Sequence, residues 1–442
     1  MKRKTAAIVS AAAALALALT GCGGGSQQPD PSSTEIVPRE ISWLLSRPSD
    51  GSVMNIVKEL ADEYAKEHPG FSLNLITTPD RPSYLQKLQT LAAANQLPEL
   101  FDTDATPFTS KLVKQGKLVD VQAMLTDLGI YDDFRPLALD YQRFDDGGLY
   151  MVPFEFELEF FWYNKDLFEK AGVEVPKTLD DIVALCRPLR DAGSIPIAVD
   201  GQDGWPLMRY MSYQPFRVAG PDYIDQLKRG DAQMGDATGA KAVQWMADLG
   251  SNDCFQEGFS SQGYTDARDL FTSGKAAMYQ IGTWELASLT SQDIPAEIRD
   301  NIDFFTLPTV PDTVTADNEY TVVSGIGMAV NQSTYDALVK DFLKFMLDRY
   351  PAELAESGHL TPIADIEPVI PADANELYGR ALAEADNLGE RIAFPWDTKL
   401  DPTTNTLMQQ ELTLLVQGDS TPETFTQKID ASIAENGPKF FG

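Results

Sequence analysis

The pattern of apolar and polar positions alternates between two periods along the chain. Residues 40–45 (Glu-Ile-Ser-Trp-Leu-Leu) read as an opening strand. Val53, Ile56, Val57, Leu60, Ala61 and Tyr64 then form a stripe at helical spacing over 52–66. His68-Pro69-Gly70 stops that helix, and 71–75 alternates as a second strand. A second helix is expected over 84–94, closed by Pro98, before a short strand centred on Leu100-Phe101. Strand, helix, strand, helix, strand is the order of a doubly wound α/β layer.

The alternation restarts after Pro153. A helix over 179–192, with Asp180-Asp181 in its first turn to suit the helix dipole, leads to a strand over 195–199. Further helices are expected over 239–249, 267–273, 334–347, 374–387 and 403–417. Trp245 and Met246 lie inside one of them and read as core. Trp205, between Gly204 and Pro206, follows neither period and reads as a loop residue. No repeat of 20–50 residues is present.

One segment departs from the usual mixture. Glu155, Glu157 and Glu159 alternate with apolar residues, so a strand carries three carboxylates on one face, as a solvated edge or as a cleft wall. Four aromatics and Asn164 follow directly, which favours the wall.

The first 22 residues do not belong to the fold. Lys2, Arg3 and Lys4 precede an apolar run from Ala6 to Leu19 that is short for a membrane span and reads as a secretory signal. The run ends in Leu19-Thr20-Gly21-Cys22, which resembles the bacterial lipobox: cleavage after residue 21 leaves Cys22 to take a lipid. Residues 22–38, rich in Gly, Ser, Gln and Pro, suit a flexible tether. Losing the three leader cations takes the formal net charge from −31 to −34. Such a surface argues against nucleic acid as a partner. Two His and three Cys leave little for a metal cluster, and neither a metal nor another cofactor is expected. Cys186 and Cys254 suit either a disulfide or two buried thiols; Ile182, Leu185 and Leu189 at helical spacing around Cys186 favour the thiols.

Three blocks carry a family resemblance. Residues 163–172 (Tyr-Asn-Lys-Asp-Leu-Phe-Glu-Lys-Ala-Gly), with Pro176-Lys177-Thr178, form the first. Residues 271–278 (Phe-Thr-Ser-Gly-Lys-Ala-Ala-Met), with Gly282-Thr283-Trp284, form the second. Phe305-Thr306-Leu307-Pro308 and residues 324–330 form the third. In this order they resemble the solute-binding proteins of carbohydrate ABC importers, the group of maltodextrin-binding protein. The resemblance implies two doubly wound α/β lobes of the type II periplasmic-binding fold, joined by a hinge with the ligand between them. It places the first lobe at 39–152 and 320–362 and the second at 153–319 and 363–442. It implies a lipid-anchored, extracytoplasmic monomer that binds an oligosaccharide and hands it to the permease subunits, without catalysis.

Sugar rings stack on aromatic faces, and their hydroxyls pair with carboxylates and amides. Trp284 matches the family's stacking tryptophan, and Trp396 falls where the family places another platform. Trp205 is a third candidate. Glu157, by its spacing to Tyr163-Asn164-Lys165, matches a carboxylate that faces the ligand. Asp102 and Asp104 lie just past the Leu100-Phe101 strand end, where a doubly wound sheet presents ligand contacts; Ser46 and Arg47 follow the first strand. The rivals are a polyamine in the same fold, which carboxylates and aromatics would also suit, and a glycoside hydrolase. Two acids on one strand face attack from one side only, which disfavours hydrolysis. The run 200–204 (Asp-Gly-Gln-Asp-Gly) lacks the acidic twelfth residue of a calcium loop, having Met211 there.

Overall fold

The computed structural model describes residues 34–46, 52–78, 81–372 and 374–441; the leader, Cys22 and Arg47 lie outside them. The strands are β1 (Glu40–Leu44), β2 (Ser72–Ile76), β3 (Leu100–Thr103), β4 (Glu157–Asn164), β5 (Ile195–Ala198), β6 (Ala276–Gly282), β7 (Ile302–Phe305), β8 (Val322–Val323) and β9 (Gly327–Val330). They form two sheets. The first runs β2-β1-β3-β9, its first three strands parallel and β9 antiparallel to β3. The second runs β5-β6-β4-β7, with β8 paired to the start of β4. This is the two-lobed, mixed α/β architecture of the type II fold.

Alternation along β1 sends side chains to two cores. Trp43 packs in a cluster with Leu100, Met328 and Phe342, whereas Leu44 packs on the other face with Phe101 and Ala329. Helices therefore cover both faces of the sheet, Ser52–Glu67 and Ala337–Leu347 on the first and Arg81–Ala93 and Pro107–Lys114 on the second. The second sheet has its own core, drawn from 156–323 and again from 360–433, together with Ala138 and Tyr141. The chain passes between the cores near 154–157, 323–327 and 354–360.

Three expectations are corrected here. The strand carrying Glu157 and Glu159 is flanked by β6 and β7, so it is neither a solvated edge nor an open wall. Both carboxylates are buried, at 3% exposure each. Trp205 is not in a loop but opens a 15-residue helix, Trp205–Ala219. That helix is buried around most of its circumference and carries an internal Pro215, so no amphipathic period marks it. Finally, Cys186 and Cys254 are disulfide-bonded, with Cα atoms 5.0 Å apart. The bond joins helix Leu179–Asp191 to the segment beside β5, where Ile197 donates its amide to the Cys254 carbonyl.

Candidate functional site

A cleft of about 560 Å³ opens between the lobes, walled by segments that end strands or begin helices. The first-lobe wall starts where β1 and β3 end. Ser46 follows β1, and Asp104 follows β3 in a tight turn that leads to the Thr106 cap of helix Pro107–Lys114. Phe108 adds ring surface on this side, with the buried Tyr84 behind it. The position obeys the rule that open α/β sheets present ligand contacts beyond their strand carboxyl ends.

The second-lobe wall is built from residues 201–205 and 397–413. Gly204 stands at φ +76 immediately before the helix, a left-handed turn that favours glycine, and an added Cβ would meet Gln409 at 3.0 Å. Trp205 is therefore delivered to the wall at the first helical position. Asp397 sits on a short 3-10 turn, and Asn405 and Gln409 project from helix Pro402–Gln417. Asn405 Oδ1 is buried with no hydrogen-bond partner among the described residues.

Behind this wall lies a charge network. Arg209 donates from Nε to Glu159 Oε1 at 3.0 Å and from Nη1 to Asp397 Oδ1. Gln280 donates to the other Glu159 oxygen at 2.9 Å. The Arg209 guanidinium also lies over the Trp205 ring, 5.2 Å from its centroid. Burial opposes its charge, but Asp397 and Glu159 outweigh that and push its pKa up, so it stays protonated.

Of the residues singled out in the sequence, Ser46, Asp104 and Trp205 meet at this cleft. Asp102 does not line it. It is fully buried, accepting from the Trp43 indole at 2.9 Å and from the Ser46 amide at 2.8 Å, so it shapes the wall from behind. Trp396 is likewise in the second core, 3% exposed and stacked near Tyr223, not on the wall. Glu157 lies at the lobe crossing, where Thr283 donates its hydroxyl to the carboxylate. Burial and neighbouring Glu155 push its pKa up to about 8, against the opposing Thr283 bond.

Trp284 is half-buried and does not line the cleft. Its indole donates to the Tyr264 hydroxyl at 2.8 Å, and Tyr264 borders Trp205. An added Cβ at Gly282 would strike the Trp284 ring at 2.0 Å, so the glycine permits this packing.

Sequence reasoning missed Asp397, Asn405, Gln409, Tyr84 and Phe108. The run 200–204 resembles a metal loop only in part. Its two glycines directly after a strand end were the available signal for a binding wall.

The model of the bacterial extracellular solute-binding protein family matches residues 49–349. An uncharacterized ABC transporter extracellular-binding protein of Pyrococcus horikoshii is 23% identical over 72% of this chain and 75% of its own. The alpha-glucosides-binding periplasmic protein of Rhizobium meliloti is 24% identical over 60% of this chain and 63% of its own. Among solved structures, a chitin oligosaccharide binding protein superposes with a TM-score of 0.79 at 23% identity, covering 90% of this chain and 99% of that one. With the family model matched over more than half its length, the chain belongs to the bacterial extracellular solute-binding proteins.

Proposed function

We propose that this protein captures a neutral oligosaccharide in the interlobe cleft and delivers it to the permease of an ABC importer, held at the membrane by a lipid on Cys22. The observation that carries the reading is the cleft's chemistry. Trp205 and Phe108 offer ring faces, while Asn405, Gln409, Asp104 and Asp397 offer hydroxyl partners. Among the described residues that line it there is no Lys, Arg or His. A neutral polyol is matched by such walls, whereas a phosphorylated or uronic sugar would meet the carboxylates of Asp104 and Asp397. The sugars named for the relatives support the same class. Ligand draws the lobes together about the crossing segments near 154–157, 323–327 and 354–360. The protein binds without catalysis.

Calorimetric titration of the processed protein against maltotriose, raffinose, xylotriose and chitotriose tests the ligand class. Binding of at least one is expected, and it should return intact after overnight incubation. Spermidine belongs in the same panel, because Asp104, Asp203 and Asp397 all line the cleft. Binding of spermidine with no response to any sugar would replace the carbohydrate reading. X-ray scattering should show a smaller radius of gyration once the bound sugar saturates; an unchanged profile would remove lobe closure. Cys22→Ala should abolish incorporation of labelled palmitate.

A further inference from the structure

We infer that Arg209 is a positioning residue for the second-lobe wall, holding the Trp205 ring and the Asp397 carboxylate in fixed relation through one guanidinium. The inference rests on the reading of Trp205 and Asp397 as ligand contacts. Arg209 itself does not line the cleft; it acts through the two residues that do.

The geometry is that of a three-way anchor. Arg209 lies one helical turn after Trp205, so its side chain reaches back along the helix and lies over the indole, 5.2 Å from the centroid. Its Nε is fixed by Glu159 of β4 at 3.0 Å, and Glu159 is fixed in turn by Gln280 of β6 at 2.9 Å. Its Nη1 then meets Asp397 on the short turn Trp396–Thr398. The anchor thus runs from two strands of the rigid sheet to two separate surface segments. Arg209 is 7% exposed and Glu159 3%, so each buried charge depends on the other for compensation.

Only a planar fork satisfies all three contacts at once. A lysine ammonium can hold one or two carboxylates as a point charge, but it lacks the flat surface that covers the indole. Without the guanidinium, Asp397 and Glu159 lose the cation they share. Trp205 loses the group that limits its rotamers. Holding both in place beforehand reduces the ordering cost of binding.

The test uses the intact processed protein and needs no ligand for its first readout. Acrylamide quenching of Trp205 is taken as the difference between each protein and its Trp205→Phe counterpart. Arg209→Lys keeps a positive charge for Glu159 and should leave Trp205 quenched about twofold more readily. Arg209→Met combined with Glu159→Gln removes the buried pair together and should show the same gain, even where the lysine variant fails to fold. Unchanged Trp205 quenching in the variants overturns the inference.

The second readout is titration with raffinose and chitotriose. Whichever binds the starting protein should lose roughly tenfold in affinity in Arg209→Lys. Retained affinity overturns the positioning role. If neither sugar binds the starting protein, that outcome counts against the carbohydrate reading, while quenching still decides the role of Arg209.

Discussion

In the first lobe, the buried carboxylate of Asp102 accepts from two neutral donors, the Trp43 indole and the Ser46 amide. In the second, the buried carboxylate of Glu159 accepts from the Arg209 guanidinium and the Gln280 amide. Both groups stand behind the cleft and shape what faces it. They differ in what happens when one partner is removed. The Trp43 and Ser46 donors to Asp102 carry no charge of their own, so losing its charge weakens these two hydrogen bonds. Glu159 neutralises a buried cation, and its loss leaves that cation with Asp397 alone. A wall hung on neutral donors degrades by steps, whereas one hung on a buried ion network fails together.

The largest expected effect tests that contrast directly. Glu159→Ala should cost about 3–5 kcal/mol of stability, the usual result of stranding a buried charge. Asp102→Asn should cost about 1–3 kcal/mol, the range for weakening buried hydrogen bonds. Denaturant unfolding measures both. An equal or larger cost at Asp102 would break the comparison.

The second test asks whether the lobes are stabilised separately. The Cys186–Cys254 bond closes 68 residues within the second lobe. Replacing both cysteines with serine should cost about 2–4 kcal/mol. Hydrogen exchange should show the loss in amides of 179–199 and 249–255, with the β1–β3 amides protected as before. Equal loss in both lobes would mean that they unfold as one unit.

Much of the fold was legible because it rests on local periodicity. The stripe from Val53 to Tyr64 became helix Ser52–Glu67, and the opening strand lies at Glu40–Leu44. Helix Trp205–Ala219 was not legible for the opposite reason. With Tyr210, Met211 and Tyr213 all buried, it has no polar stripe to set its period. The site divides in the same way. Asp104 is legible from its place after a strand, a local cue, and the same cue puts forward Asp102, which lies inside β3 and is fully buried. Burial of Trp396 and the partnership of Arg209, Glu159 and Asp397 depend on contacts 50 to 188 residues apart along the chain, which no local pattern encodes.

The third test compares two tryptophans within the second lobe. Trp205 lines the cleft, and Trp284 sits behind Tyr264. Using base–aromatic stacking as a guide, Trp205→Ala should lose about 1–3 kcal/mol of binding, roughly ten- to a hundredfold. Trp284→Ala should lose less than tenfold, because it acts only through Tyr264. Titration with the sugar found to bind separates them, and a reversed order would move the platform to Trp284.

The last test belongs to neither wall. Glu157 lies where β4 pairs with β8 at the crossing between lobes, and burial there raises its pKa from 4.5 to about 8. Between these values the folded state holds a proton that the unfolded chain has released. Stability contributed by this group is therefore greatest below about pH 4.5 and falls as pH rises toward 8. The slope from one such group is at most about 1.4 kcal/mol per pH unit. Glu157→Gln keeps the shape and cannot ionise, so subtracting its stability profile from that of the parent isolates this titration. Asp200, whose pKa burial also raises, to about 7, cancels in the difference. The expected result is a variant that gains stability relative to the parent between pH 5 and 8 and levels off above. A flat difference across that interval would show that the carboxylate at the crossing is already ionised and that its charge is accommodated where the lobes meet.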